Sequence, residues 1–313
     1  LPRKRVAYFF DGHNREHAHT PNSANPFFHR ASWSSLPKRL TNPDDVVYIA
    51  KNNNGRWSSS TIDLTFLNTF DADIALKTPG LILNGFKLEN ANLIANLQNG
   101  VFDIRPVTGR LFGGILKLNG TITASPGNDQ YQTQFTVSRL DMPSAMRSFE
   151  NKTLKTGKMD IVGNLRTNGQ SVADLIAHLN GSGSLSLTGV DISSGPRRGS
   201  VFSSVTTLLA SINQFAGSLG GKTRSSKANL HAKFKVHKGI AKFDNMTLTS
   251  GIGGGIAKGI IDLPNWQINT TGHLKLSENV VMLLLRKKKG PPTLPFQISG
   301  LLNQPNVRLD TRK

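Results

Sequence analysis

A short segment near the beginning of the chain contains residue types that bind metal ions. His13, His17 and His19 lie with Glu16 within seven residues. The i,i+4 spacing of His13 and His17 could hold zinc if the segment were helical. No amphipathic pattern surrounds them, and Glu16 does not follow a histidine as it does in the His-Glu-x-x-His motif. The segment is therefore interpreted as solvated and basic, and no metal site is predicted.

A glycine-rich string from Ser250 to Gly259 has some features of a phosphate-binding loop. Such a loop needs Lys followed by Ser or Thr, and a helix whose amino terminus faces the phosphate. Here Lys258 is followed by Gly259, and residues 260–263 are typical of a strand. The string is interpreted as a glycine-rich turn between two strands, and no cofactor is predicted.

No arrangement of residues indicates a catalytic centre. The chain has no Cys and no Gly-x-Ser-x-Gly sequence, which removes the thiol nucleophile and the serine elbow. Asp103, Asp160, Asp191 and Asp262 lie separately inside or beside predicted strands. Nothing pairs two of these carboxylates across one bond, as glycoside hydrolysis requires. The chain is predicted not to be an enzyme, and no catalytic residue is assigned.

The net charge is the strongest chemical feature of the composition. The 38 Lys and Arg outnumber the 19 Asp and Glu, which gives a formal charge of +19 and a pI near 10.4. Residues 196–243 contain nine Lys or Arg and no acid, and four cations at 286–289 directly follow an apolar run at 280–285. Nucleic acid and an anionic membrane surface are the two partners that such charge fits. Because aromatic residues, which stack on single-stranded bases, are only 7% of the chain, the membrane surface is favoured.

Short apolar segments separated by turn residues must position these groups. From Trp57 onward apolar and polar residues alternate, as in 131–138, and turn pairs such as Asn84-Gly85 and Asn99-Gly100 recur. The pattern predicts a mainly β fold, an antiparallel sheet with one apolar face and a few short helices. The predicted helices are 141–149, 171–181, 201–215 and 277–285.

Composition divides the chain into a leader and a β domain. Residues 1–55 are rich in Arg, His, Asn and Pro and show no sustained period, so they are predicted to form a basic, poorly ordered leader. Residues 56–313 are predicted to form the β domain, with a sub-boundary near residue 150. The longest apolar run, Val280–Leu285, is far shorter than the roughly 20 residues that span a bilayer. An anchor would therefore lie outside this chain.

Several stretches, taken in chain order, resemble the carboxy-terminal region of the AsmA family of envelope proteins from diderm bacteria. The resemblance covers about residues 56–310, and Leu301 stands where the family usually has Thr. The family's amino-terminal anchor and long β groove are missing, so the chain resembles a shortened member or a fragment. The stretches that carry the resemblance are Trp57-Ser58-Ser59-Ser60 with Ile62-Asp63, Gly109-Arg110-Leu111-Phe112-Gly113-Gly114 with Leu118-Asn119-Gly120, Leu179-Asn180-Gly181-Ser182-Gly183, Phe234–Gly239, Leu248–Leu263, and Pro295–Leu302 with Pro305-Asn306-Val307.

The resemblance implies a twisted sheet that curls into an open apolar trough. It implies a non-enzymatic protein of outer-membrane biogenesis, on the periplasmic face of the inner membrane and anchored by a segment not present in this chain. The trough would accommodate or conduct phospholipid acyl chains, and the partners would be phospholipid, the inner-membrane surface and other envelope proteins. The candidates for contact with acyl chains are Phe135, Val137, Met159, Ile161, Leu185 and Leu187, and those for head groups are Arg286, Lys287, Lys288 and Lys289.

Other interpretations of these residues stay open at this point. Each apolar candidate fits an ordinary core position equally well. The leader and residues 196–243 would also suit a basic binding module for nucleic acid or an anionic envelope polymer. An enzyme on a β scaffold would need polar side chains that converge in a pocket.

Overall fold

The chain folds mainly into β-strands. The computed structural model describes residues 5–11, 57–83, 86–148, 155–191, 227–251, 253–276, 293–302 and 304–309. Fourteen strands, two short α-helices and one 3-10 helix lie within these ranges. Strand order in the sheet follows chain order.

The first strand differs from the others in its direction. β1 pairs in parallel with β2, with Arg5 opposite Asp71, and the thirteen strands that follow form an antiparallel open sheet. The strands are β1 (Arg5–Asp11), β2 (Asp71–Leu83), β3 (Phe86–Gln98), β4 (Val101–Leu111), β5 (Gly114–Thr123), β6 (Gln130–Asp141), β7 (Lys158–Asn168), β8 (Asn180–Asp191), β9 (Lys227–His237), β10 (Ile240–Ser250), β11 (Gly253–Asp262), β12 (Gln267–Leu276), β13 (Thr293–Leu301) and β14 (Gln304–Leu309). The mainly β class and the antiparallel sheet predicted from sequence are confirmed.

Two of the four predicted helices are confirmed. The structure places α1 at Met142–Ser148 and α2 at Val172–Ala177, and the 3-10 helix at Thr65–Asn68. The helices predicted at 201–215 and 277–285 lie outside the described residues. β1 falls within the predicted leader, and the other residues of that leader lie outside the described residues.

The chain divides into two compact units. Unit 1 consists of residues Leu1–Val137 and Gly163–Leu179, and unit 2 of residues Ser138–Val162 and Asn180–Lys313. Strands β6 and β7 therefore each contribute residues to both units.

Unit 1 has a core where the 3-10 helix meets strands β2 to β5. Just before this helix the Asp63 carboxylate accepts a hydrogen bond from the Thr65 backbone N–H at 2.9 Å, whereas the N-cap residue Leu64 has no capping side-chain bond. Leu67 of the helix is buried with Ala72 and Leu97, so the helix covers one end of the apolar side of the unit. The partly buried residues around them are Leu64, Phe70, Ile74, Phe102, Ile122 and Ala124.

Helix α2 closes a second part of unit 1. Ser171 caps it, accepting from the backbone N–H of Asp174 at 3.1 Å and donating to the Asp174 carboxylate at 2.7 Å, a reciprocal arrangement that satisfies a free helix donor. The preceding segment is held against it by backbone bonds, from Ile62 to Gln170 at 2.6 Å and from Ala173 to Ser58 at 2.9 Å.

Helix α1 is fixed to unit 2 in a similar way by a carboxylate cap. Asp141 accepts from the Ser144 backbone N–H at 3.0 Å and forms an ion pair with Lys158 at 2.9 Å. Burial alone would raise the pKa of Asp141, but the bonds from Lys158 and Ser144 outweigh it and lower this pKa. Met142, on the first turn, is buried.

Candidate functional site

One side of the unit 2 strands is apolar and the other is polar, and we call these the inner and outer faces. On β9, Ala228, Leu230, Ala232 and Val236 are buried on the inner face, while the residues between them are mostly exposed on the outer face. Because successive side chains of a strand point to opposite sides, this alternation follows directly from the sequence of β9. The other buried inner-face residues are Leu187, Val190, Ala241, Phe243, Leu248, Ile268, Thr270, Leu274, Phe296 and Ile298.

The inner face forms apolar rows that cross the strands. In one row Leu187 lies opposite Leu230, which lies opposite Leu248, and the row continues to Leu274 on β12. A second row contains Leu185, Ala232, Met246, Ala257, Gly272 and Phe296. Since neighbouring strands lie about 4.8 Å apart, a row from β8 to β13 is about 24 Å long.

Glycines on β11 and β12 let large side chains lie flat against this face. A Cβ atom at Gly272 would come within 2.6 Å of the Phe296 ring, and one at Gly255 within 2.7 Å of the Leu274 side chain. The same arrangement occurs at Gly183, where a Cβ would collide with the Phe234 ring. A missing side chain on one strand therefore makes room for a large one on the next.

The centre of the inner face is a shallow apolar concavity. Side chains of five strands, β9 to β13, line it, and Thr270 is the lining residue with a polar side chain. The lining side chains leave a cavity of only about 30 Å³, which is close to the share of one water molecule in the liquid. A long apolar ligand would thus lie along the face rather than within an enclosed pocket. The other lining residues are Leu230, Met246, Leu248, Gly255, Ala257, Leu274, Phe296 and Ile298, together with Ile256, whose own side chain lies on the outer face between inner-face neighbours.

The six residues predicted to contact acyl chains occupy alternate positions on three consecutive strands. Val137 and Leu187 are buried, and the other four are half-buried. Phe135 and Val137 on β6 belong to unit 1, whereas the pairs on β7 and β8 belong to unit 2. Their contact with lipid stays a prediction. The four remaining residues are Phe135, Met159, Ile161 and Leu185.

The predicted head-group residues, Arg286 to Lys289, lie outside the described residues, as does the histidine segment 13–19. Sequence analysis named no residue of the concavity as a site candidate. The alternation on β9 and the spacing of Met246 and Leu248 on β10 could have identified part of it. The glycine string was interpreted too widely as a turn, because the turn lies at Gly251 and β11 already begins at Gly253.

The apolar side of unit 1 contains a buried phenol. The hydroxyl of Tyr131 on β6 is buried without a hydrogen-bond partner among the described residues. Burial, and secondarily the charge of Asp129, raises the pKa of Tyr131 to about 12. Asp129 is itself buried and accepts a hydrogen bond from the Ser125 backbone at 3.0 Å.

The described part of the chain contains neither a membrane-spanning helix nor a metal-binding cluster of side chains. No helix there is long and apolar enough to cross a membrane. No group of three or more His, Asp or Glu there could hold a metal ion.

Comparison with known proteins gives one finding. A family model described as "AsmA family" matches residues 24–259, which is about three quarters of the 313 residues. No curated protein and no solved structure matches the chain.

Proposed function

Since the chain belongs to the AsmA family, we propose that it accommodates phospholipid acyl chains along the inner face of unit 2. In this proposal it is a non-enzymatic, periplasm-facing protein that acts in outer-membrane biogenesis at the inner membrane. The single observation that supports it best is the continuous apolar face of β8 to β13, with its cross-strand rows and flattened side chains.

The chemistry of this face suits a hydrocarbon chain. An acyl chain offers no hydrogen-bond donor or acceptor, so its binding site needs apolar area rather than converging polar groups. The described inner face has this composition, with Thr270 as its buried polar residue. Each buried methylene contributes about 0.8 kcal/mol, so covering one side of a chain supplies several kcal/mol without any specific polar contact.

The dimensions also agree. Half of the roughly 30 Å hydrocarbon core of a bilayer is about 15 Å, which is the depth that one acyl chain spans. A row of about 24 Å across β8 to β13 exceeds that length. Helix α1 is the α-helix of unit 2 in the described ranges, and its seven residues reach only about 10 Å. Among the described residues, this helix is therefore too short to cover the face.

The proposal extends to the residues named from sequence. Met159, Ile161, Leu185 and Leu187 in unit 2, and Phe135 and Val137 in unit 1, are proposed as contacts with acyl chains within their own units. Arg286, Lys287, Lys288 and Lys289 would contact anionic head groups. Other envelope proteins are further proposed partners.

A paired substitution on β10 tests the proposal. Met246 lines the concavity, whereas Thr247 lies next to it on the outer face, so Met246→Asp and Thr247→Asp place the same charge on opposite sides of one strand. We expect phospholipid to co-purify with the unaltered chain and with Thr247→Asp, and to be lost from Met246→Asp. The measurement is mass spectrometry of lipids extracted from the purified 313-residue chain.

The outcome is checked against misfolding. The thermal unfolding midpoint of Met246→Asp is compared with that of the unaltered chain. If Met246→Asp does not fold, Met246→Gln replaces it, since an amide of similar length removes apolar character without burying a charge. Absence of phospholipid from the unaltered chain, or equal phospholipid in both Met246 and Thr247 variants, would contradict the proposal.

A basic module for nucleic acid or an anionic envelope polymer is the second candidate, and the cations of the outer face favour it. Binding of a labelled oligonucleotide that falls steeply with salt, yet persists at near-physiological salt, would support it. The described outer face has no exposed Phe, Tyr or Trp side chain on which bases could stack.

A further inference from the structure

The outer face of unit 2 has a large excess of cations. On β9 to β14 it holds seven Lys or Arg and two acids, Asp244 and Asp262, counting described residues alone. The alternation that buries one side of each strand exposes the charged residues on the other. The seven cations are Lys227, Lys233, Lys235, Lys242, Lys258, Lys275 and Arg308.

Two of these cations face each other. Lys235 on β9 lies directly opposite Lys242 on β10, an arrangement of like charges that destabilises a strand pair. Lys242 forms an ion pair with Asp244 at 2.9 Å, in which both side chains are more than 60% exposed. Within the part that the structure describes, Lys233, Lys258 and Lys275 have no carboxylate partner. The charge of this face is thus largely uncompensated by other residues that the structure describes.

Aliphatic side chains lie exposed among the cations. Ile256 is 60% exposed and Ile260 is 38% exposed, and Lys258 lies between them on the outer face of β11. Ile260 is also opposite Lys242. Ile240 and Leu301 are two further exposed aliphatic residues on this face. Side chains of this type usually avoid water, so their position beside uncompensated lysines is informative.

We propose that the outer face of unit 2 docks on the surface of a membrane that contains anionic phospholipid. Lysines beside such a surface meet phosphate head groups, and their methylene stems follow the aliphatic residues into the interface. Each Lys or Arg near an anionic leaflet strengthens binding about fivefold. Nucleic acid fits less well, because described outer-face positions offer cations and aliphatic residues but no exposed Phe, Tyr or Trp.

This docking surface lies on the side of the strands opposite the proposed acyl-chain face, and it does not depend on that function. A protein with both would rest on a bilayer through its outer face while its inner face stays apolar and accessible.

The test measures co-sedimentation of the full chain with vesicles. Vesicles of phosphatidylcholine mixed with phosphatidylglycerol are compared with vesicles of phosphatidylcholine alone. The variant replaces Lys233, Lys235, Lys258 and Lys275 by Gln. The matched control removes four exposed cations of unit 1, by changing Lys77, Lys87, Lys117 and Arg166 to Gln.

We expect the unaltered chain and the control to bind only the anionic vesicles. The unit 2 variant is expected to bind them about 600-fold more weakly, since four contributions of about fivefold each multiply. A double variant, Ile256→Asn with Ile260→Asn, is expected to lose roughly tenfold. All of these side chains are exposed, so the thermal midpoint should not change.

Equal binding of neutral and anionic vesicles would overturn the inference, and so would equal binding of the variant and the control. Tighter binding to a labelled oligonucleotide than to anionic vesicles, lost in the same variant, would overturn it in favour of nucleic acid. The Met246→Asp chain is expected to keep its vesicle binding, and the lysine variant its co-purifying lipid. Failure of either proposal is therefore visible apart from the other.

Discussion

The two units use the same strand pattern with different charge and different cover. Counting described residues, unit 1 has seven Lys or Arg and eight Asp or Glu, whereas unit 2 has twelve and five. In unit 1 the 3-10 helix packs over one end of the apolar side. In unit 2 the apolar inner face carries the cross-strand rows, in which glycines make room for large side chains, and the concavity.

The alternation of apolar and polar residues is similar in the two units, so it does not by itself determine how the charges of the polar side are paired. Both units hide one side of their strands, but outward acids of unit 1 have hydrogen-bond or ion-pair partners inside the unit. Asp73 accepts from Asn96 at 2.6 Å, and Asp103 pairs with Arg105 at 2.6 Å. The outward lysines of unit 2 have few such partners, which suggests that their partners belong to another molecule.

The largest expected effect is a difference in the free energy of unfolding between a substitution in the closed core of unit 1 and one on the open inner face of unit 2. Leu97 of unit 1 is 2% exposed within the 3-10 helix core, and Leu230 of unit 2 is 6% exposed beside the concavity. Leu97→Ala should cost about 3–4 kcal/mol and Leu230→Ala about 2 kcal/mol, because an open site leaves a smaller unfilled cavity. Urea unfolding, with hydrogen exchange read in β3 and β9, measures both. Equal costs would contradict the comparison.

A glycine pair gives the next largest effect. A Cβ at Gly272 would lie 2.5 Å from both the Phe296 ring and the Ile256 carbonyl oxygen, so Gly272→Ala should destabilise unit 2 by about 2 kcal/mol. At Gly80 of unit 1 the nearest atom is the flexible Lys87 side chain at 3.3 Å. Gly80→Ala should therefore change stability by less than about 0.5 kcal/mol. A similar loss at both positions in urea unfolding would show that the close approach of Phe296 does not set the cost at Gly272.

These glycines also mark the limit of what could be predicted from the sequence. Alternation such as Tyr131, Phe135 and Val137 predicted the strands and their buried side directly. Glycine has no side chain and so contributes no alternation, which is why the string at 250–259 was interpreted only as a turn. Its role at Gly255 depends on Leu274, which lies opposite it on the next strand.

Which charged residues lie opposite each other on the outer face of unit 2 also depends on the register of the strands. The acid-free segment 196–243 was visible in the sequence, but not that Lys235 would lie opposite Lys242. That pairing follows from the two-residue turn at Lys238 and Gly239, both of which have positive φ. Residues 24–259 also match the AsmA family, which confirms the family resemblance first noted over about residues 56–310.

The two helix caps give a smaller effect that depends on pH in one unit only. Ser171→Ala in unit 1 and Asp141→Asn in unit 2 should each cost about 1 kcal/mol at neutral pH. Because the pKa of Asp141 is lowered in the folded chain, its contribution is present above the ordinary value of 3.8 and is lost as pH falls through the lowered pKa. The difference between Asp141→Asn and the unaltered chain should therefore shrink in acid, whereas the Ser171→Ala difference should stay constant. Urea unfolding across acidic pH measures this, and parallel pH dependence of the two would contradict it.

The smallest effect is spectroscopic and tests whether the apolar side of unit 1 is closed to water around Tyr131. The pKa of this phenol is raised to about 12, chiefly by burial, so the phenolate absorbance missing from Tyr131→Phe should appear near that pH in the native chain and near 10 in urea. The unfolded chain loses the phenol proton at a lower pH than the native chain, so raising the pH favours unfolding. The free energy of unfolding should therefore fall as pH rises from about 10 to 12, and it should fall less in Tyr131→Phe. A native transition near 10 would mean that water reaches the phenol, and the contrast between a closed unit 1 and an open unit 2 would fail.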